Sequence, residues 1–305
     1  MLPPMQTPPA TRAGYVAIVG RPNAGKSTLL NRVVGEKLAI TSPKPQSTRD
    51  RVVGIVTTDA AQLVFLDTPG LLEPRYALQE SMRLAARDAL RDADVVLHLI
   101  DGAGDLTDAA VELRAAAQSS RPIRGLVIRV ANKVDLLSPD ERARVTTQLG
   151  DVLWISAQTG AGVDDVLARV TSALPEGPFL YPADEVSTQS VRYFVSELIR
   201  ETALELLQDE VPYALACEVD EFREGRRPVY IRATLYVERE SQRGILIGAA
   251  GARLREIGRA ARAKIEAFVG EPVYLDLWVK VLRNWRRDPR ALRRFGYHAP
   301  PTSDA

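Results

Sequence analysis

The chain of 305 residues has one cysteine, two histidines, 6% aromatic residues and almost no net charge. A single cysteine excludes an internal disulfide framework, so Cys217 reads as a small buried hydrophobe in a strand, suited to a reducing cytoplasm. His98 and His298 lie far apart and lack companions at metal-ligand spacing; His98 sits inside "DVVLHLI", which points to a structural role. No segment approaches the roughly 18 consecutive apolar residues of a membrane span, so any membrane contact is peripheral. The opening "MLPPMQTPPATRAG" has prolines but no apolar stretch, and residues 1–13 read as a flexible leader rather than a signal peptide.

The composition that remains is ordinary for a globular protein, with 46% apolar and 26% charged residues, and the length suits two domains. Charge is balanced only on average, 40 Lys and Arg against 39 Asp and Glu. Residues 191–238 hold six basic and ten acidic side chains, a net of −4, whereas 239–297 hold fourteen and six, a net of +8. Trp285, Phe295 and Tyr297 are interleaved with arginines in this basic stretch, a mixture suited to phosphates and stacked bases.

From Gly14 to Leu174 the apolar runs "GYVAIVG", "AQLVFLD", "ADVVLHLID", "GLVIRVAN" and "DVLWIS" alternate with helical patterns. This order predicts an α/β domain over 14–174 with a mixed, mostly parallel sheet and its ligand at the carboxyl ends of the strands. Three prolines in "LPEGPFLYPADEVSTQS" mark 175–190 as a linker. A helix from Val191, two strand-like runs, a glycine turn with its helix, and the strand "EPVYLDLWVKVL" follow over 191–297, with 298–305 a flexible end.

"GRPNAGKST" (Gly20, Arg21, Pro22, Asn23, Ala24, Gly25, Lys26, Ser27, Thr28) follows one strand and opens a helix, as a phosphate-binding loop requires. Its backbone N–H groups can close on phosphates, Lys26 can neutralise them and the Ser27 hydroxyl can ligate Mg²⁺. "DTPG" (Asp67, Thr68, Pro69, Gly70), followed by Leu71, ends another strand, where Asp67 can hold the magnesium shell and the Gly70 N–H can meet a γ-phosphate. "NKVD" (Asn132, Lys133, Asp135) offers the Asp135 carboxylate to guanine's N1–H and exocyclic amine, donors that adenine lacks on that edge. "ISAQTG" brings Ser156 and Ala157, whose backbone can face the guanine carbonyl. Four such motifs in this order at successive strand ends point to a GTPase binding GTP or GDP.

These stretches, together with "ITSPKPQSTRDRVVGI", "VERESQRGILIGAAGARLREIG" and "LDLWVKV", resemble the Era family of bacterial GTPases from about Tyr15 to Tyr297. The resemblance implies a GTPase domain joined to a type II KH domain of α+β fold. It also implies binding of the 3′ end of 16S ribosomal RNA during assembly of the 30S subunit, by a monomer in the cytoplasm with peripheral contact at the inner face of the cell membrane. It assigns Gly248, Ala249, Ala250 and Gly251 to the GxxG loop that clamps single-stranded RNA, with Arg253 and Arg255 adding charge. Family members often carry a basic residue where Ala249 and Ala250 stand. Thr48 is implied to reach Mg²⁺ and γ-phosphate, with Ser47 the lesser candidate, and Asn23 to help bind a monovalent cation such as K⁺. Leu71 stands where Ras-like enzymes place a water-orienting glutamine, which implies slow intrinsic hydrolysis.

Two other classes compete. A P-loop ATPase or small-molecule kinase is disfavoured by "NKVD", and an RNA-binding protein with a vestigial nucleotide site by the intact Lys26, Ser27, Asp67 and Asp135.

Overall fold

The computed structural model describes residues 11–71, 73–104, 106, 123–225 and 227–298. Most of the expected leader and all but one residue of the expected flexible end lie outside them. The chain divides into two compact units, one from the described parts of Met1–Leu38, Arg51–Leu71 and Ala86–Thr188, the other from those of Ala39–Asp50, Leu72–Ala85 and Gln189–Ala305.

The first unit is built on a six-stranded sheet ordered β2-β3-β1-β4-β5-β6, from β1 (Arg12–Val19), β2 (Val52–Thr57), β3 (Ala61–Asp67), β4 (Val95–Asp101), β5 (Leu126–Asn132) and β6 (Leu153–Trp154). Only β2 runs antiparallel, against β3. Residues Val16–Val19, Val64–Leu66 and Val95–Leu97 are buried almost completely, as central strands covered on both faces require. Helix α1 (Lys26–Val34) starts and stops at left-handed glycines, Gly25 and Gly35. Helix α2 (Ala77–Asp92) precedes β4 and contributes only Ala86–Asp92 to this unit, and α3 (Pro139–Leu149) begins with a reciprocal cap in which Ser138 and Glu141 satisfy each other's N–H groups. Helix α4 (Val163–Ala173) closes the sheet's sequence.

The second unit has a three-stranded sheet, β7 (Ala216–Arg223), β8 (Val229–Val237) and β9 (Val273–Val281), with β7 antiparallel and β9 parallel to β8. Helices α5 (Val191–Leu206), α6 (Glu240–Ile247) and α7 (Ala252–Val269) cover one face, with Val195, Ile199, Leu246, Ile257 and Ile265 packed on Ile231, Leu235 and Val273. Cys217 is half-buried in β7, and burial raises its thiol pKa, which removes it as a nucleophile.

The sequence places three features differently. Residues 39–50 and 72–85, expected within a continuous first domain, group with the second unit because long-range contacts claim them. Arg49, 3% exposed, donates to the carbonyls of Leu215 and Tyr213; Lys44 donates to those of Leu204 and Leu207, and Arg200 to that of Ser47. Most of the expected linker belongs to the first unit: Ile55 N–H donates to the Val186 carbonyl, and Gln62 exchanges hydrogen bonds with the Leu180 and Tyr181 backbone.

The aromatic residues of the basic stretch are the third correction. Trp285 is fully buried, donates its indole N–H to the Ala214 carbonyl at 2.8 Å, and packs with Leu78, Met82, Tyr236 and Leu292. Phe295 and Tyr297 lie against its ring. They and Trp285 form a second small core under helix α8 (Pro289–Arg294), leaving Arg283, Arg287, Arg290 and Arg293 exposed.

Candidate functional site

The turn from β1 into α1 owes its shape to glycines without substitutes. A Cβ on Gly20 would stand 2.1 Å from the Leu99 carbonyl oxygen, and one on Gly25 2.2 Å from Asn132 Nδ2. Both have positive φ, 152° and 96°, and between them Asn23 also turns left-handed at φ 64°. Lys26 is 6% exposed and folds back to donate to the carbonyls of Gly20 (3.1 Å) and Arg21 (2.8 Å). Closed over its own loop, the ammonium stands where bound phosphates gather.

At the end of β3, Asp67 is fully buried and accepts the Ser27 hydroxyl at 2.7 Å. Two hard oxygen donors this close suit Mg²⁺. Thr68 donates to the Ile18 carbonyl at 2.9 Å, which ties the Asp67–Gly70 turn to β1. Gly70 approaches Pro22 so closely that a Cβ would sit 2.6 Å from its nitrogen, and Leu71 N–H donates to the Gly20 carbonyl. "GRPNAGKST" and "DTPGL" therefore form one structure. Thr48 is 8% exposed in the segment that groups with the second unit.

Asn132 does something the motif alone does not reveal. Its buried amide donates to the Ala24 carbonyl and accepts the Ala157 N–H, both at 2.8 Å, bridging the phosphate loop to the "ISAQTG" turn. The Ser156 N–H is likewise taken, by the Ala161 carbonyl. Both N–H groups expected to face guanine hydrogen-bond within the protein in this structure, and Asp135 stands open as a base-reading group. That carboxylate is exposed on a 3-10 turn, with no hydrogen-bond or ion-pair partner among the described residues. Lys133, with φ 65°, reaches Asp101 at 2.6 Å and fixes the entry to this turn.

In the second unit, the GAAG loop joins α6 to α7. Gly248 and Gly251 have φ of 72° and 76°; Ala250 shares that left-handed region at φ 46°, a conformation costing an alanine roughly 1 kcal/mol or more. Ala249 and Ala250 are exposed. The two expected RNA-contacting arginines are engaged locally: Arg255 donates to the Ala250 carbonyl at 2.7 Å and Arg253 pairs with Glu256 at 2.9 Å. Arg255 therefore braces the loop's strained alanine, a role that spacing alone does not disclose.

No cluster of metal-ligating His, Cys, Asp and Glu occurs among the described residues, and no described helix is long and apolar enough to cross a membrane.

Comparison with known proteins matches both halves. Residues 15–133 fit a family described as 50S ribosome-binding GTPase and residues 210–286 fit the KH domain. A protein of a Nocardioides species named GTPase Era is 45% identical over 311 residues, covering 95% of this chain and 97% of that one. A crystal structure of an Aquifex aeolicus Era variant bound to GDP and AlF4− is 38% identical, with a TM-score of 0.88 over 94% of this chain and 99% of that one. Era in complex with MgGDPNP and nucleotides 1506–1542 of 16S ribosomal RNA is 39% identical, with a TM-score of 0.86 and the same coverage.

Proposed function

The chain belongs to the Era family of GTPases, and from that premise we propose that it is a GTP-hydrolysing switch which binds the 3′ end of small-subunit ribosomal RNA and assists assembly of the 30S subunit. The observation that carries the nucleotide half is the joined structure of Lys26, Ser27, Asp67 and Gly70, together with the open carboxylate of Asp135. Ser27 and Asp67 would hold Mg²⁺, Lys26 would meet the β- and γ-phosphates, and Asp135 would select guanine. Magnesium supplies charge neutralisation between the phosphates when bound. Thr48 would complete the metal shell when its segment orders around GTP, and hydrolysis would release it.

Leu71 offers no polar atom to orient water, so intrinsic hydrolysis should be slow. Asn23 beside the phosphates favours help from a monovalent cation: hydrolysis should run faster in potassium than in sodium at equal ionic strength, and equal rates would leave Asn23 a turn residue.

The RNA half is supported by the exposed GAAG loop at the start of α7 and the fold it sits in. RNA crosslinked to the protein in cells should be enriched in the 3′ end of 16S ribosomal RNA; enrichment of messenger RNA alone would sink this half. The vestigial-site alternative predicts no phosphate release from GTP, and one turnover assay excludes or establishes it. The reading extends to a cytoplasmic monomer touching the membrane peripherally through the exposed arginines around Trp285, which sedimentation and flotation with anionic vesicles would test.

A further inference from the structure

The two most exposed aromatic rings among the described residues are Tyr274, at 59%, and Trp278, at 54%, and both stand on β9. Alternation along the strand puts Tyr274, Asp276, Trp278 and Lys280 on one face and Leu275, Leu277 and Val279 on the other, where the last three pack into the core beneath α5, α6 and α7. The aromatic face is therefore the back of the sheet, away from the helices that carry the GAAG loop.

This face is held in order. Tyr230, opposite Tyr274 in the strand pairing, lies nearly parallel to it, with ring centroids 5.8 Å apart and planes 12° apart. The carboxylate of Asp276 accepts from the Tyr230 hydroxyl at 3.1 Å and from Arg232 Nε at 3.2 Å. Guanidinium groups of Arg223 and Arg232 lie 5.1 and 5.6 Å from the centroid of the Tyr230 ring. Lys280 is exposed on the same side, with no hydrogen-bond or ion-pair partner among the described residues. Tyr230 is thus pinned through its hydroxyl and Tyr274 lies against it, while much of the Tyr274 and Trp278 surface meets solvent.

We propose that the back face of the KH sheet is a second RNA-binding surface, on which unpaired nucleobases stack against Tyr274 and Trp278 while Lys280 and Arg223 meet the adjoining phosphates. It rests on the reading that this chain binds RNA, and it adds a site outside the GAAG loop. Flat rings, planar guanidinium groups and a free ammonium, with no exposed aliphatic anchor on the face, are the chemistry that takes bases without reading their edges. Tyr274 and Trp278 are about 13 Å apart along the strand at 3.3 Å per residue, room for separate bases. Arg223 and Arg232 are already neutralised in part by Glu221 and Asp276. Stacking therefore supplies more of the affinity here than counterion release does.

The test is anisotropy titration of the full chain with a labelled single-stranded RNA of the ribosomal 3′ end, at several fixed salt concentrations. Tyr274→Ala/Trp278→Ala should weaken binding about tenfold or more, with the salt dependence unchanged, since stacking is worth about 1–3 kcal/mol per base and charge is untouched. Tyr274→Phe/Trp278→Phe should stay within about threefold of the parent, because rings remain. On an RNA of the same length lacking bases, the parent and alanine variants should bind alike.

Parent-like affinity of the folded alanine variant, or an equal loss on abasic RNA, would overturn the platform and leave this face to a protein partner. If alanine prevents folding, fluorescence of the Trp154→Phe protein decides, with exposed Trp278 read over the constant emission of fully buried Trp285: quenching by base-containing but not abasic RNA supports stacking, and no quenching overturns it. A parent that binds no RNA overturns both this surface and the RNA-binding reading. Loss only in Ala249→Asp/Ala250→Asp overturns this surface alone.

Discussion

The molecule has two glycine-bracketed loops, each opening onto a helix, and they are built in opposite ways. The loop of residues 20–27 is braced from afar: Asn132, 108 residues beyond Ala24, holds its backbone, and Gly20, Gly25 and Gly70 leave no room for a methyl group. The GAAG loop is braced locally, by Arg255 of the helix that follows and by the Gly244 carbonyl of the helix before it, and keeps its two alanines in the open. A small ligand with defined charges needs a socket fixed before it arrives. A polymer whose backbone repeats can be held by a ledge, with affinity added by neighbouring surfaces.

Matched substitutions give the largest contrast. Gly20→Ala drives a methyl group into the Leu99 carbonyl, which is backbone and cannot yield, and calorimetry should detect no GTP binding. In Gly251→Ala the nearest atom is the flexible end of Arg255 at 3.1 Å, so the protein should fold, lose about 1 kcal/mol of stability to the positive φ, and keep its GTP affinity. Equal damage from both would erase the distinction between socket and ledge.

Asp135→Asn comes next. The amide can donate to the extra carbonyl of xanthine, so preference should pass from GTP toward xanthosine triphosphate by up to about 10⁴-fold. Unchanged selectivity in competition binding would show that the base is read elsewhere.

Acid should separate the two units by a smaller margin. His98 pairs with Val19 at the root of the first loop and is 2% exposed; burial, helped by Arg129, lowers its pKa to about 4. Because the unfolded imidazole takes its proton first, stability is full above about pH 6.5 and falls as pH drops toward 4. The loss should reach about 2 kcal/mol at pH 5 in urea unfolding, and His98→Gln should flatten the slope. The second unit has no buried histidine among its described residues.

The smallest effect concerns the ledge. Ala249→Asp/Ala250→Asp should weaken RNA binding about tenfold at fixed salt, about 1.4 kcal/mol, while GTP affinity stays unchanged. RNA binding as tight as the parent's would make the loop a mere helix entry.

The nucleotide motifs were legible because each is a short run tied to one strand end, and strand, turn and helix follow from local pattern. Asn132 was legible as part of "NKVD" but not as a brace, because its partners are distant in sequence. β2 is not legible from the strand–helix alternation because "VVGIVT" carries an interior glycine and no helix separates it from β3. Trp285 misled for a related reason. Arginines on either side disguise a residue whose apolar neighbours, Leu78 and Met82, come from another part of the chain. Tyr274 and Trp278 were visible as alternating letters, but which of a strand's faces meets helices is settled only by packing.

The anchoring of residues 39–50 by Arg49, Lys44 and Arg200 bears on how this gene product can be divided. The segment expected to sense the γ-phosphate is encoded in the amino-terminal half, yet its packing partners are encoded after residue 189. A stop codon at the apparent domain boundary would deliver a nucleotide fold whose sensing segment has lost the groups that seat it. Fragments and chimaeras cut there are not modules, and a foreign RNA-binding domain grafted at that junction would have to supply the carbonyl acceptors of Leu204, Leu207, Tyr213 and Leu215 as well as its own fold.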